Sequence, residues 1–342
     1  MSSKRLRMDR KAYFVRPFVD ADHEAVCHLY SMINPEFPST AEEERHYDQL
    51  MAAPHFVNER WVVEERGTRA VVAAGGIAHS LYGYHPHKFW VSVAVDPAHA
   101  HRGIGRELSD LLGSEAVSHH AVCFWTNVRK DDPRSLEFAR KQGFVQLRTM
   151  WMSTLDLSEG EVPPPSEGVA ALVQEGIRIT TLAEEGPARP EVRQRLYELV
   201  SETEKDVPRM GEHTPLTLDQ FIAQLEGPAS IPEAHFLARY GEAYVASSDL
   251  ERDLARDDSL VVGYTGTRKP YRGRGLAAEL KRRALEYARR RGFRYLRTFN
   301  DSLNLPIWSI NEKLGFRRTV EWANLERRFA PEGAAPLPSS PP

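Results

Sequence analysis

Two rhythms of apolar residues alternate along this chain. Runs with period two and many β-branched or aromatic residues, at 13–16, 61–65, 70–74 and 90–95 and again at 177–181 and 295–299, predict strands. Between them lie stretches with three- and four-residue spacing. The clearest is Leu276, Leu280, Ala284, Leu285 and Ala288, one apolar face of a helix whose positions Lys281, Arg282, Arg283, Arg289, Arg290 and Arg291 are basic. A strand runs into a Gly-rich turn, and the turn opens that helix directly. A shorter helix is predicted over 307–313, closed by Gly315 as a left-handed cap. Strands interleaved with helices predict an α/β fold with a mixed sheet in each half.

The pattern occurs twice. Residues 95–108, Val-Asp-Pro-Ala-His-Ala-His-Arg-Gly-Ile-Gly-Arg-Glu-Leu, align with 267–280, Thr-Arg-Lys-Pro-Tyr-Arg-Gly-Arg-Gly-Leu-Ala-Ala-Glu-Leu. The same offset, without a gap, carries Thr126 onto Thr298 and Gly143-Phe144 onto Gly315-Phe316. Register held over about fifty residues makes the halves copies of one fold. The run SEGEVPPPSEG at 158–168 reads as a linker. The expected organisation is a disordered basic arm at 1–11, a domain at 12–157, a linker at 158–175, a second domain at 176–329 and a disordered Pro/Ser-rich tail at 330–342.

Composition narrows the function classes. The 342 residues suit two domains, and 41% apolar with 27% charged residues excludes a wholly disordered or membrane-embedded chain. No apolar run approaches the roughly 18 residues of a membrane span, so no membrane partner is expected. The start MSSKRLRMDRK leads into YFVRPFVDAD, which is not a secretory signal. With 45 basic against 48 acidic residues there is no global field for coating nucleic acid, and the arginines of 281–291 read as a solvated helix face. Cys27 and Cys123, far apart, form neither a disulfide framework nor a zinc site, which fits a reducing cytoplasm. The pairs His85/His87 and His99/His101 lack the partners and spacing of a metal site, so no metal is expected.

The chemistry concentrates in the turn. Gly273 and Gly275 free the backbone so that N–H groups approach a ligand, the helix start adds about half a positive charge, and Arg272 and Arg274 add cations. That combination suits a pyrophosphate. In this the sequence resembles the GCN5-related N-acetyltransferase superfamily, whose acetyl-CoA loop follows Arg/Gln-x-x-Gly-x-Gly/Ala. Arg272-Gly273-Arg274-Gly275-Leu276-Ala277 fits the whole pattern, whereas the first copy keeps Gly103 and Gly105 but has Ala100 where Arg or Gln is usual. Asn304, eleven residues before Gly315-Phe316, matches a further family position, which Asp132 holds in the first copy. The tandem arrangement is similar to the mycothiol synthase-like branch.

The resemblance implies two tandem domains of this type, each with a V-shaped opening between the strand before the loop and the strand after it. Acetyl-CoA is the implied co-substrate, with the backbone of Thr265, Gly266 and Thr267 along its pantetheine arm, residues 272–277 around its pyrophosphate, and Asn304 nearby. In the first copy the same positions are Val93, Val95, Arg102, Gly103, Ile104 and Gly105. The implied reaction is direct attack of a small-molecule amine on the thioester, which needs a base, an oxyanion donor and an acid. Where the family often has an acidic Tyr, four residues before Gly-Phe, this chain has Asn311 and Ala139. Tyr264 is then the expected acid, and Glu202, Glu204 and Asp206, in the acceptor wall, supply the expected base, with Glu202 and Asp206 the two selected. Three readings follow: catalysis in the second copy alone, catalysis in both, or an acyl-CoA sensor without catalysis. The acceptor and the oligomeric state stay open.

Overall fold

The computed structural model describes residues 7–165 and 167–329, so the expected tail at 330–342 and the first residues of the arm lie outside it. In chain order the elements are β1 (Tyr13–Pro17), α1 (His23–Ile33), α2 (Ala41–Leu50), β2 (Asn58–Glu65), β3 (Val71–Ala78), β4 (Lys88–Val95), α3 (Ile104–Ser118), β5 (Cys123–Arg129), α4 (Pro133–Lys141) and β6 (Val145–Asp156). Then follow α5 (Glu167–Gln174), β7 (Ile177–Thr181), α6 (Leu182–Glu185), α7 (Pro190–Thr203), α8 (Leu218–Leu225), β8 (Ser230–Tyr240), β9 (Ala243–Arg252), β10 (Ser259–Thr267), α9 (Leu276–Arg290), β11 (Tyr295–Asp301), α10 (Leu305–Lys313) and β12 (Arg317–Arg328). The repeat seen in the sequence is a repeat of elements: α3 and α9, β5 and β11, α4 and α10, and β6 and β12 begin at Ile104 and Leu276, Cys123 and Tyr295, Pro133 and Leu305, and Val145 and Arg317.

Two compact units result, and they cut the chain differently from the expected boundaries. The first takes the described residues up to Arg148, then Met210–Glu212 and those from Trp322; the second takes Thr149–Arg209 and His213–Glu321. In the first unit β1 to β4 pair antiparallel in sequence order, β4 pairs parallel with β5, and β5 pairs antiparallel with residues 322–328 of β12. In the second, β7 to β10 pair antiparallel in order, β10 pairs parallel with β11, and β11 pairs antiparallel with residues 150–156 of β6. Each half therefore sends its closing strand to the sheet of the other unit. The two strands are repeats with matching edges, so either can satisfy the N–H and C=O groups of β5 or β11.

The second unit's core forms where the predicted face of α9 meets the sheet. Leu280, Ala284 and Ala288 are fully buried against Leu250, Leu260, Val262 and Phe236. Part of the expected linker belongs to this core. Residues 167–174 form α5, and Leu172 packs with Leu157 and Ile177. Val169 and Leu172 are three apart, enough to bury one helix edge, and the preceding prolines had masked that spacing. The described part of the basic arm is likewise ordered: Met8 is buried with Ile104, Leu108 and Val72 of the first unit. Burial of one apolar side chain, about 1.5–3 kcal/mol, is enough to pin a short charged segment.

Candidate functional site

The second unit opens where its sheet stops being paired. Parallel pairing between β10 and β11 ends at Val261 and Arg297, yet the strands continue to Thr267 and Asp301. The gap widens toward the Gly-rich turn. There Gly273 has φ +72° and Gly275, at the N-cap of α9, has φ +89°, a region that disfavours any side chain by about 1–2 kcal/mol. A Cβ on Gly273 would touch nothing within 4 Å, so the backbone is open at that residue. The first turn of α9 leaves N–H groups without intrahelical partners, an arrangement that suits an anion.

A cavity of about 620 Å3 runs along this opening. Thr265, Gly266 and Thr267 form one wall, Arg272 to Ala277 (Arg274 excepted) the end, and Asn304, Ile307 and Ile310 the opposite wall. Of the expected coenzyme residues in this unit, all but Arg274 line it. Arg274 instead pairs with Glu175, and Arg272 donates from Nε to the Thr267 carbonyl at 2.8 Å. Asn304 is the N-cap of α10 but makes no capping bond with its side chain, whereas its counterpart Asp132 is committed to the N–H groups of Arg134 and Ser135.

The expected acid and bases fare differently. Tyr264 is half-buried beside this wall and donates its hydroxyl to Thr203 Oγ1 at 2.6 Å; Thr203 in turn donates to the Leu199 carbonyl at 2.7 Å. Gly266 makes this possible, because a Cβ there would lie 2.5 Å from the Tyr264 hydroxyl. Burial raises the phenol above its ordinary range, with nearby Glu204 adding to the effect and the bond to Thr203 opposing it. Glu202 is ion-paired with Arg268 at 3.3 Å. Asp206 accepts from Arg272 at 2.7 Å and lies 3.7 Å from Lys269, and the Arg272 bond holds its carboxyl below the usual range. Both carboxylates expected as bases are thus engaged with arginines. Glu204 differs: half-buried, it has a pKa raised by desolvation against the influence of Arg209. Asn311, at the usual Tyr position, is fully buried and donates to Asn300 Oδ1 at 2.9 Å, and Ala139 is buried too.

Asp206 occupies Arg272, which the resemblance assigns to the coenzyme pyrophosphate. An exposed pair of this kind is worth at most about 1 kcal/mol. Asp206→Asn is therefore expected to tighten acetyl-CoA binding by up to about fivefold in calorimetric titration at low salt, with turnover retained. A large loss of turnover would instead return Asp206 to the role of base.

The first unit repeats the opening, with β4–β5 pairing ending at Trp90 and Trp125. Gly103, the counterpart of Gly275, is again a left-handed N-cap, φ +81°, and a Cβ there would lie 2.6 Å from both the Arg7 carbonyl carbon and the Met8 nitrogen. Arg102 is turned to the Tyr13 hydroxyl at 2.6 Å, which also meets His99 Nδ1 at 3.0 Å. Ile104 is buried in the core. Val93 and Val95 meet the open side of Gly105 together with Phe138. Of the expected coenzyme residues of this copy, Gly103 has Arg7 and Met8 against it, and Gly105, Val93 and Val95 lie together. Elsewhere on this unit Glu59, Glu115 and His119 place ligand atoms within 4.8 Å of one another, and His119 pairs with Glu59 at 3.2 Å.

A strand pair that parts beside a glycine-capped helix start, with a cavity in the gap, is the framework of an acyl-transfer enzyme. The chain belongs to the acetyltransferase (GNAT) family, whose sequence profile matches residues 24–144 and again 194–316, and it is an N-acetyltransferase. It is 26% identical over 261 residues to the mycothiol acetyltransferase of Actinosynnema mirum, covering 73% of this chain and 79% of that one. Its fold is similar to a GCN5-related N-acetyltransferase from Sphaerobacter thermophilus (TM-score 0.70, 20% identity, 95% and 98% of the two chains). It is also similar to a tandem GNAT protein from the clavulanic acid biosynthesis pathway, solved without AcCoA (TM-score 0.71, 20% identity, 93% and 99%). Both the mixed α/β fold and the tandem arrangement inferred from the repeat stand. Among the described residues no helix is long and apolar enough to cross a membrane, and both cysteines are buried and free.

Proposed function

We propose that the second unit binds acetyl-CoA in the cavity along β10 and transfers its acetyl group to a small-molecule amine, while the first unit is structural. The observation that carries this reading is the cavity of about 620 Å3 in the second unit, lined by Thr265 to Thr267 and, in its loop, by Arg272, Gly273, Gly275, Leu276 and Ala277. The residues present fit the coenzyme. Orphan N–H groups at the start of α9 and Arg272 would hold its diphosphate, and the small side chain of Ala277 leaves the helix start approachable. Acetyl-CoA supplies an activated thioester, so no covalent enzyme adduct is needed.

This chain's own groups then have three tasks. The backbone of Thr265 to Thr267 orients the donor and offers N–H groups to its carbonyl. Tyr264, protonated throughout the physiological range because burial raises its phenol, would supply the proton taken by the departing thiolate. The side of β10 on which Tyr264 stands, covered by α7, would receive the acceptor. The likeness to a mycothiol acetyltransferase supports a small-molecule acceptor, and two free buried cysteines are compatible with the cytoplasm.

The test is thiol release from acetyl-CoA with spermidine, glucosamine, kanamycin and lysine as acceptors. Steady release that depends on one of these amines is expected. Acetyl-CoA binding without amine-dependent release from any of them would refute catalysis in favour of a sensor.

A further inference from the structure

β10 is bulged beside the cavity. Val262 pairs with Leu250 and Thr265 pairs with Ser248, so Gly263 and Tyr264 together oppose Asp249 alone. The Tyr264 N–H donates to Asp249 Oδ1 at 3.0 Å. The other oxygen fills the open side of Gly263: a Cβ at that glycine would lie 2.3 Å from Asp249 Oδ2 and 3.2 Å from the Glu251 carboxyl carbon. Only glycine lets the carboxyl approach the strand this closely, and Gly263 itself is exposed.

The face is set by alternation. Ser248 and Thr265 meet through their hydroxyls at 2.9 Å, which puts both on one side of the sheet. Asp249, Tyr264 and Gly266, one residue on along either strand, stand on the opposite side. There Tyr264 meets Thr203 of α7, and Thr203 and Gly266 both line the cavity. Asp249 therefore stands on the acceptor side of β10, at the step next to the cavity's Thr265.

We propose that Asp249 is the general base that takes the proton from the acceptor ammonium. The proposal rests on the reading that the second unit is the catalytic one. The first proton of the ammonium passes to Asp249 Oδ2, and the freed nitrogen lone pair forms the C–N bond as the C–S bond breaks. Nitrogen loses its second proton as the amide forms, the departing thiolate takes one up, and Asp249 returns its own to water. Each turnover thus converts an ammonium and a thioester into an amide, a thiol and one released proton.

The surroundings suit the task. Desolvation, then Glu251, raises the carboxyl well above its ordinary range, while the Tyr264 N–H and Lys281 of α9 oppose the rise. Burial brings Lys281 down to about 8. Across the sheet, the β8 partner His235 is held near 4 by burial, so it is neutral at pH 7 and adds no charge. A base with a raised pKa is a stronger proton acceptor, and its need to be ionised places an acid limb on the rate profile.

Asp249→Asn keeps an oxygen for the Tyr264 N–H and nearly the same volume, so the bulge is retained. With the most active amine of the four, turnover is expected to fall about 100-fold, the acid limb of kcat/KM to vanish, and calorimetric acetyl-CoA affinity and Tm to stay unchanged. Glu251→Gln removes a neighbouring negative charge, so Asp249 ionises at lower pH and the acid limb moves down with it. Unaltered turnover in Asp249→Asn overturns the proposal. So does lost acetyl-CoA affinity, which would mean a structural role, and so does an acid limb abolished instead by Glu204→Gln. If the wild-type protein shows no amine-dependent thiol release, the catalytic reading itself fails and takes this proposal with it.

Discussion

Gly275→Glu is expected to abolish acetyl-CoA binding, while Gly103→Glu leaves it intact. At Gly275 the substitution has two effects. The residue sits at φ +89°, where a side chain is strained by about 1–2 kcal/mol, and a carboxylate enters the site that the helix start and Arg272 prepare for a diphosphate. Juxtaposed like charges are unfavourable by several kcal/mol, so a loss of at least about 100-fold in affinity follows. Gly275→Ala separates the two effects, since it keeps the strain and omits the charge, and only a modest weakening is expected. At Gly103 the new Cβ would collide with Arg7 and Met8, so the cost falls on the stability of the first unit. Calorimetric titration should therefore give one site per chain in wild type, one in Gly103→Glu with a lowered Tm, and none in Gly275→Glu. If Gly103→Glu removed the site instead, the roles of the two units would be reversed.

Local constraints made much of this legible in the sequence. A glycine forced to positive φ at a helix start, an apolar face with period 3.6, and a constant offset between halves each depend on residues close together in the chain, and all three reappear in the structure. Partners distant in sequence were not legible. Glu202 lies in the last turn of α7 and Asp206 beyond its end, but their arginines come from the loop; Arg272 lies 66 residues after Asp206. The exchange of closing strands was hidden for a different reason: β6 and β12 are repeats, and a repeat predicts a pairing edge without saying which copy supplies the strand. Met8 stands among charged residues in the arm, and one apolar residue has no period.

Asp249 lies between these cases. Nothing about an Asp at this point of the sequence marks it as reactive. Gly263 did carry a signal, since a lone glycine inside an apolar strand suggests a bulge or a close approach. The group that approaches it comes from the neighbouring strand, so only the register of β9 on β10 identifies it. The same register explains why Thr265 does not offer its hydroxyl freely to the cavity: Ser248 already bonds it.

Tyr264→Phe should lower kcat about 100-fold and leave acetyl-CoA affinity unchanged. The ring stays, so the space over Gly266 remains filled. Thr203 keeps its own bond to the Leu199 carbonyl, so no buried donor is orphaned and stability should change by about 1 kcal/mol or less. Only a proton donor is removed. The pH dependence gives a second readout. An acid is useful only while protonated, and burial raises this phenol above its ordinary range, so the wild-type rate should persist to high pH and fall only as the pH climbs through the raised value. In the Phe variant that basic limb should disappear, and the acid limb assigned to Asp249 should remain. A variant with wild-type turnover and an intact basic limb would exclude Tyr264 as the acid. Loss of both limbs together would mean that the bulge, which Tyr264 anchors through its N–H, had shifted.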